Sequence, residues 1–308
     1  MSILKNKWRE RMIELNKIHT IDVLEGLKRI YDNSCDIIIV DPPYNVGKDF
    51  GNNHDFRTLE EYINWSKQWI DECIRVLKPR GTMFIYGFSE ILANLSVVIP
   101  LDKRWLIWYY TNKNMPTMHF WQRSHEAIIC CWKERPIFNK DDIREPYTEL
   151  FLTNAAGKIR KGTKGRLSRN GKETIYRAHE NGALPRDVIK IPALAGGAGT
   201  TERWFLCRTC NNSVFHPCEL KKHSNHDTIK HPTQKPLELS ERLIKSAKPK
   251  NDGLVLVPFA GSGSECVAAK KIGIKFVGFE INPEYITLAE HRLSKVRNHS
   301  TLNRFIEN

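Results

Sequence analysis

The 308-residue sequence contains no apolar run approaching the roughly 20 residues of a membrane-spanning helix. Its opening residues, Met1 to Arg11, are charged throughout and lack the apolar core of a secretory leader. The expected setting is therefore cytoplasmic and reducing, with no membrane partner, and disulfides are not expected among the eight cysteines. A phosphate-cradling G-x-x-x-x-G-K-[ST] loop is absent, and the G-x-G pair at Gly261 and Gly263 lacks the third glycine of a dinucleotide fingerprint. Acidic residues are also short: 35 Asp and Glu stand against 48 Lys and Arg, for a net charge of +13. That excess points to a polyanionic partner, nucleic acid first among them.

What is present begins with Ile37, Ile38, Ile39 and Val40 followed by Asp41, Pro42, Pro43 and Tyr44. Four consecutive apolar β-formers suit a central parallel strand, buried on both faces. The prolines end it, because neither can donate a backbone N–H. The strand end becomes a stiff edge of acceptors: the Asp41 carboxylate, the Pro42 carbonyl and, beside them, the Tyr44 ring. Ligands bind at the carboxyl ends of strands in open α/β sheets. A planar group with an exocyclic NH₂ fits such an edge. The plainer reading, a strand with a Pro-Pro turn, stands against it until a second site is found.

The second site lies near the other end of the chain. The strand pattern Leu254 to Val257 runs into Pro258, Phe259, Ala260, Gly261, Ser262 and Gly263, then a helix from Glu265 to Ile272. A further strand, Lys275 to Phe279, stops at Glu280. Strand, glycine turn, helix, strand and acid make a nucleotide-site arrangement, in which the acid takes ribose hydroxyls. A nucleoside without phosphates suits it better than a dinucleotide.

Between the two sites the chain alternates β and α up to about Trp132. Thr58 with Glu61 is a capping box opening a long amphipathic helix. Asp22 stands where a strand hands over to a helix, placed to cap that helix or to face a ligand. The pattern then breaks, which divides the chain into 1–143, an insert at 144–230, and 231–308. From Gly157 to Lys172 there is no acidic residue, but Lys158, Arg160, Lys161, Lys164, Arg166 and Arg169 are all basic. This run suits phosphate contacts, although a solvated loop would have the same composition. Further on, Cys207 and Cys210 form a C-x-x-C pair, with Cys218 and several histidines close behind. Cys207, Cys210, Cys218 and His223 form a candidate set of ligands for a structural zinc, to be weighed evenly against unliganded thiols.

Asp41-Pro42-Pro43-Tyr44, taken with Phe259-Ala260-Gly261-Ser262-Gly263, resembles the motif pair of the β-class amino-group DNA methyltransferases, catalytic motif first and cofactor motif last. The resemblance covers about residues 15–135 and 229–295. It implies an α/β fold, a doubly wound seven-stranded mostly parallel sheet with an inserted target-recognition segment. It implies S-adenosylmethionine as cofactor, held by Asp22, Lys235, Pro258 through Gly263, Glu280 and Ile281. Asp22 matches the adenine-contacting position, Glu280 the ribose acid, and His231 to Pro236 the segment over the methionine end. His125-Glu126 matches a recurring pair of the class. Asp41, Pro42, Pro43 and Tyr44 are the implied catalytic residues, acting on a base flipped out of double-stranded DNA. Asp41, where cytosine-modifying enzymes more often have Ser, favours adenine N6 over cytosine N4. Homodimerisation, a restriction–modification setting and a cognate restriction endonuclease are further implications. Rival readings are methylation of RNA or of a protein amide, a zinc-containing DNA-binding protein without catalysis, and a nicotinamide oxidoreductase.

Overall fold

A computed structural model describes residues 13–47, 57–112, 119–160, 174–175, 177–194, 202–214 and 217–296. They fall into two compact units, one formed by Met1–Phe138 with Asp187–Asn308 and the other by Asn139–Arg186.

In chain order the described elements are β1 (Lys17–Thr20), α1 (Val23–Lys28), β2 (Cys35–Val40), α2 (Leu59–Val76), β3 (Leu77–Gly87), α3 (Ser89–Val98), β4 (Asp102–Tyr109) and β5 (His125–Trp132). The second unit contributes α4 (Glu149–Asn154) and the two-residue strands β6 (Ile159–Arg160) and β7 (Thr174–Ile175). There follow β8 (Val188–Lys190), β9 (Phe205–Cys207), β10 (Asn212–Val214), α5 (Pro217–Lys221) and β11 (Thr228–Lys230). The chain closes with α6 (Leu237–Ala247), β12 (Leu254–Val257), α7 (Ser264–Ile272), β13 (Lys275–Glu280) and α8 (Pro283–Lys295).

The main sheet has the order β1-β13-β12-β2-β3-β5-β4-β8. Only β5 opposes the rest: β3 and β4 both pair with it antiparallel, while every other ladder is parallel. The doubly wound, mostly parallel α/β architecture expected from the sequence is therefore present. The sheet has eight strands where seven were expected. The additional one, β8, is three residues long with only its middle residue buried, too short to leave a periodic signal.

The β2 strand explains the layering. Ile37 and Ile39 bury into a cluster with Leu239, Leu243 and Ile244 of α6 and Ile286 and Ala289 of α8. Ile38 and Val40 bury into the opposite cluster with Leu27 of α1, Trp69, Ile70 and Cys73 of α2 and Leu92 and Leu95 of α3. Alternate side chains of one strand thus serve two cores, which is why no polar residue interrupts the run. The α2 helix starts with the capping box read from the sequence, Thr58 and Glu61 satisfying each other's backbone N–H.

From β2 the chain crosses to β3 on one side, whereas from β12 it crosses to β13 on the other. The carboxyl ends of β2 and β12 therefore flank a topological switch point, the crevice where open α/β sheets bind ligands.

Part of the stretch expected as an insert, up to Arg186, falls in the second unit. There Glu145 bridges to Ala183, and its carboxylate accepts from Arg186 Nη1 at 3.0 Å. Residues 187–194 and 202–230 belong to the first unit. Here β9 is flanked by β10 and β11 in a small antiparallel sheet, and Leu206 and Ile229 bury against Tyr285 and Leu288 of α8. No helix among the described residues is long and apolar enough to cross a membrane.

Candidate active site

The two sequence motifs, some 200 residues apart, line one cavity of about 380 Å³. Asp41 through Tyr44 enter from the end of β2, and Pro258 through Ser262 from the end of β12. Asp22, Glu280 and Ile281 complete the wall from the ends of β1 and β13, with Lys235 and Glu126 facing them. Such a volume lies within the roughly 300–1,000 Å³ range of small-molecule sites.

At the β2 end the chain turns through Pro42 and Pro43, and the Tyr62 hydroxyl of α2 donates to the Pro43 carbonyl at 2.8 Å. That bond ties the turn to the helix beneath it. The Tyr44 hydroxyl donates to Asp41 Oδ1 at 2.8 Å and lies 3.2 Å from Glu126 Oε2. Its ring meets Phe88 edge-on at 5.1 Å. Lys235 Nζ donates to both Asp41 oxygens at 2.7 Å and lies 3.7 Å from Glu126 Oε2. Two carboxylates, one ammonium and one phenol thus form a closed buried cluster. Burial pushes the Asp41 carboxyl above its ordinary range, against the pull of Lys235 and Tyr44. Burial acts the other way on Lys235, but Asp41 and Glu126 outweigh it and hold the ammonium above its usual value. The lysine side chain is only 4% exposed, so its charge is satisfied by these carboxylates.

At the β12 end, Gly261 and Gly263 adopt φ of 48° and 76°, in the left-handed region. A Cβ on Gly261 would stand 2.8 Å from His231 Nε2, and one on Gly263 would stand 2.8 Å from the Ala289 Cβ. Glycine is required both for the backbone shape and for the close approach. The Glu280 carboxylate accepts from Gly261 N at 2.7 Å and from Asn282 N at 2.8 Å. Burial raises its carboxyl above the usual range, offset in part by these backbone donors. Asp22 caps α1 as expected, its Oδ1 accepting from Leu24 N at 2.9 Å, and the residue also lines the cavity.

Three contributors escaped the sequence reading. Glu126 was noted only as half of a His-Glu pair, yet it faces Lys235 and Tyr44. Arg292 is buried under the glycine turn, its Nη1 donating to Ser262 O at 2.7 Å, Ser262 Oγ at 2.9 Å and Ser264 Oγ at 3.1 Å. Burial lowers its pKa to about 10, which leaves it charged at neutral pH. The available signal was its place on the apolar stripe of α8, in line with Leu288 and Ala289. Glu265, in the first turn of α7, is buried and accepts from Ser240 Oγ at 3.2 Å. Burial raises its carboxyl to about 7, aided by the Asp41 charge. His231, part of the segment read as covering the cofactor, is held neutral, its pKa pushed to about 3 by burial and then by Lys235, Arg292 and Arg203.

The remaining expected residues lie elsewhere. Cys207 and Cys210 come together with His223 and with His226, which the candidate ligand set had not included. Cys218 falls in α5, and its side chain lies outside the described residues. Lys158 is exposed in the second unit, its Nζ donating to Thr153 O at 3.1 Å. The Arg160 side chain and residues Lys161, Lys164, Arg166 and Arg169 lie outside the described residues.

Known proteins resemble this chain in sequence and in fold. The chain is 31% identical over 281 residues to the type II methyltransferase M.HpaI of Haemophilus parainfluenzae, covering 88% of this chain and 72% of that one. It is 27% identical over 285 residues to the DNA adenine methyltransferase YhdJ of Escherichia coli, covering 91% and 83%. Among solved structures, the cytosine-N4-specific PvuII DNA methyltransferase superposes with a TM-score of 0.60 at 15% identity over 93% of this chain and 89% of that one. An S-adenosylmethionine complex of M1.HpyAVI superposes with a TM-score of 0.51 at 21% identity, covering 90% and 99%. Both structures share the fold. The profile of the DNA methylase family, the N6 and N4 methyltransferases, matches residues 35–291, spanning both sides of the cavity, and the chain belongs to that family.

Proposed function

We propose that this chain moves a methyl group from S-adenosylmethionine to the exocyclic N6 of an adenine flipped out of duplex DNA. The observation that carries the reading is the single cavity in which the Asp41–Tyr44 edge faces the glycine turn and Glu280. The donor set fits the cofactor. Carboxylates at Asp22 and Glu280 suit a nucleoside's amino and hydroxyl groups, and Gly261 lets the backbone come close. Pro258, Phe259 and Ile281 offer apolar walls. When bound, S-adenosylmethionine supplies a methyl group activated on a sulfonium.

The chain's own residues prepare the acceptor. An aromatic amine is a weak nucleophile because its lone pair is delocalised into the ring. A carboxylate has about four acceptor positions, of which Lys235 fills two and Tyr44 one. One position of Asp41 is left for an N–H of the amine, and the Pro42 carbonyl takes the other. Two acceptors draw both hydrogens out of conjugation and leave the lone pair free to attack. The Asp41 carboxyl, raised by burial, then accepts the departing proton. Lys235 keeps both carboxylates in place, and the Tyr44 ring stacks on the base, which has left the duplex. Asp41 in the place of Ser and the likeness to an adenine methyltransferase support adenine over cytosine.

In this reading residues 1–143 form the catalytic part, 231–308 the cofactor part, and 144–230 the target-recognition region. There Lys158, Arg160, Lys161, Lys164, Arg166 and Arg169 contact phosphates. The setting is a bacterial cytoplasm, in a restriction–modification system with a cognate endonuclease or as a solitary modification enzyme. The test is incubation with unmethylated DNA and methyl-labelled cofactor, followed by digestion to nucleosides. Label in N6-methyladenosine is expected, and label in N4-methylcytidine overturns the choice of base. Asp41→Ala is expected to lose about 10²-fold or more in kcat while still binding cofactor. Full turnover in that variant refutes the mechanism.

A further inference from the structure

Away from the cavity, Cys207, Cys210, His223 and His226 present four potential ligand atoms within 4.8 Å of one another. The spacing is C-x₂-C-x₁₂-H-x₂-H, one residue short of a zinc finger's between the histidines. Cys207 ends β9, Cys210 lies in the β9–β10 turn, where Asn211 takes a φ of 48°, and the histidines follow α5 just before β11. His226 Nδ1 lies 3.4 Å from Cys207 Sγ, 3.2 Å from Cys210 Sγ and 3.2 Å from His223 Nδ1. His223 Nδ1 lies 3.7 Å from Cys210 Sγ. A tetrahedral zinc with ordinary bond lengths has edges of about 3.6 Å from sulfur to nitrogen and about 3.3 Å between nitrogens. Three of the four separations lie within about 0.2 Å of those edges, and the fourth, Cys210 Sγ to His226 Nδ1 at 3.2 Å, is about 0.4 Å shorter.

Hydrogen bonding does not explain the cluster. The Nδ1 atom of His226 has one in-plane position, and three polar atoms compete for it. A cation at the centre satisfies all of them. In addition, Cys210 N points at Cys207 Sγ from 3.4 Å, a donor placed to stabilise a thiolate.

We propose that these four side chains bind one structural zinc ion, with His226 rather than Cys218 as the fourth ligand. Two thiolates and two imidazoles in a tetrahedron select zinc. Four protein ligands leave no open position, so the ion holds structure and performs no chemistry. It fastens a sheet whose strands are three residues each, with Leu206 and Ile229 buried against α8 on one face and only Phe205, Cys207 and Val214, with Leu220 beside them, clustered on the other. The consequence reaches the cavity. Cys207 is in register with Thr228, and β11 runs directly into His231, whose ring packs on Tyr285 at 4.5 Å and abuts Gly261. The zinc therefore anchors the outer end of the strand whose inner end carries the cavity wall through to Lys235.

The test uses the full chain, grown with zinc and purified without metal-affinity resin. One zinc per chain by elemental analysis is expected. Replacement by cobalt(II) is expected to give tetrahedral d–d bands with thiolate charge transfer. Cys210→Ser and His226→Ala are expected to lose the metal, and Cys218→Ser to keep it. Stripping the parent protein with a chelator is expected to increase amide exchange across Phe205–Cys207 and Thr228–His231, and zinc is expected to reverse it. Substoichiometric zinc, an octahedral cobalt spectrum, or zinc kept by His226→Ala and lost by Cys218→Ser overturns the assignment. None of these readouts depends on methyl transfer, so failure of the zinc site and failure of the proposed reaction are separable.

Discussion

Replacing Lys235 with Met removes the only ammonium in contact with Asp41 among the described residues while keeping most of the side-chain volume. Lys235 Nζ lies 2.7 Å from both Asp41 oxygens. Two unit charges at about 4 Å with an effective dielectric constant near 20 attract by about 4 kcal/mol. Losing the ammonium therefore pushes the Asp41 carboxyl further above its ordinary range. Burial already holds that carboxyl above its ordinary range, so at any given pH the variant carries more of the protonated form. A protonated Asp41 loses its capacity to polarise an amine and to take its proton. The acid limb of kcat is therefore expected to move to higher pH, with turnover rising about tenfold per pH unit along that limb. Stability follows the same titration. A carboxylate whose folded pKa lies above its unfolded value stabilises the fold below the unfolded pKa, and that contribution is lost as pH rises through the folded one. Lys235→Met is thus expected to lose about 3–5 kcal/mol at pH 8, from leaving buried carboxylates unpaired, and much less at pH 5. Urea denaturation across pH 5–9 and single-turnover kinetics over the same range measure both effects. A pH–rate profile lowered uniformly, with no displacement of its acid limb, would refute the electrostatic argument.

Three further substitutions probe the glycine turn and the helix that follows it. Glu265→Gln keeps an acceptor for Ser240 but cannot ionise. With Glu265 at about 7 in the fold, its ionisation alone takes roughly 3 kcal/mol from the parent between pH 4.5 and 7, so the parent's urea midpoint is expected to fall relative to the variant's across that interval. Parallel curves for parent and variant would exclude the buried ionisation. Gly263→Ala combines a left-handed backbone, costing about 1–2 kcal/mol, with a Cβ 2.8 Å from that of Ala289. Gly273→Ala carries a similar φ of 77° with nothing within 4 Å, so it isolates the backbone cost. Gly263→Ala is expected to lower Tm several degrees further than Gly273→Ala, and equal losses would show that α8 yields to the added methyl.

What could be read from the sequence was whatever local chemistry encodes. Four β-formers before two prolines could only be a strand stopping at Asp41, and Thr58 with Glu61 announced α2 from four residues. The glycine turn was legible because its conformation and close packing both demand glycine. The Lys235–Asp41 contact was not: it joins positions 194 apart and exists only because the strand order sets β12 beside β2 and aims the residues after β11 across the switch point. Periodicity describes which face a residue takes, and it is silent about which other element that face meets. The same limit explains the fourth metal-site ligand. Cys218 and His226 both follow the C-x-x-C pair, and chain distance favours the cysteine. The pairing of β11 beside β9 places Thr228 opposite Cys207, and so carries His226, two residues earlier, to the cysteines. Even β8 follows this rule, since three residues with one inward side chain have no period to detect and are specified only by the free edge of β4. The buried cations mark where the two kinds of information meet. A Lys or Arg on an apolar stripe, as Arg292 is on α8, conflicts with its local pattern, and the conflict is relieved in part by partners the fold alone supplies, here the three acceptors of Nη1. Charged residues at core positions of the last helix and of the segment before α6 were therefore the sequence's own signal of where this site closes.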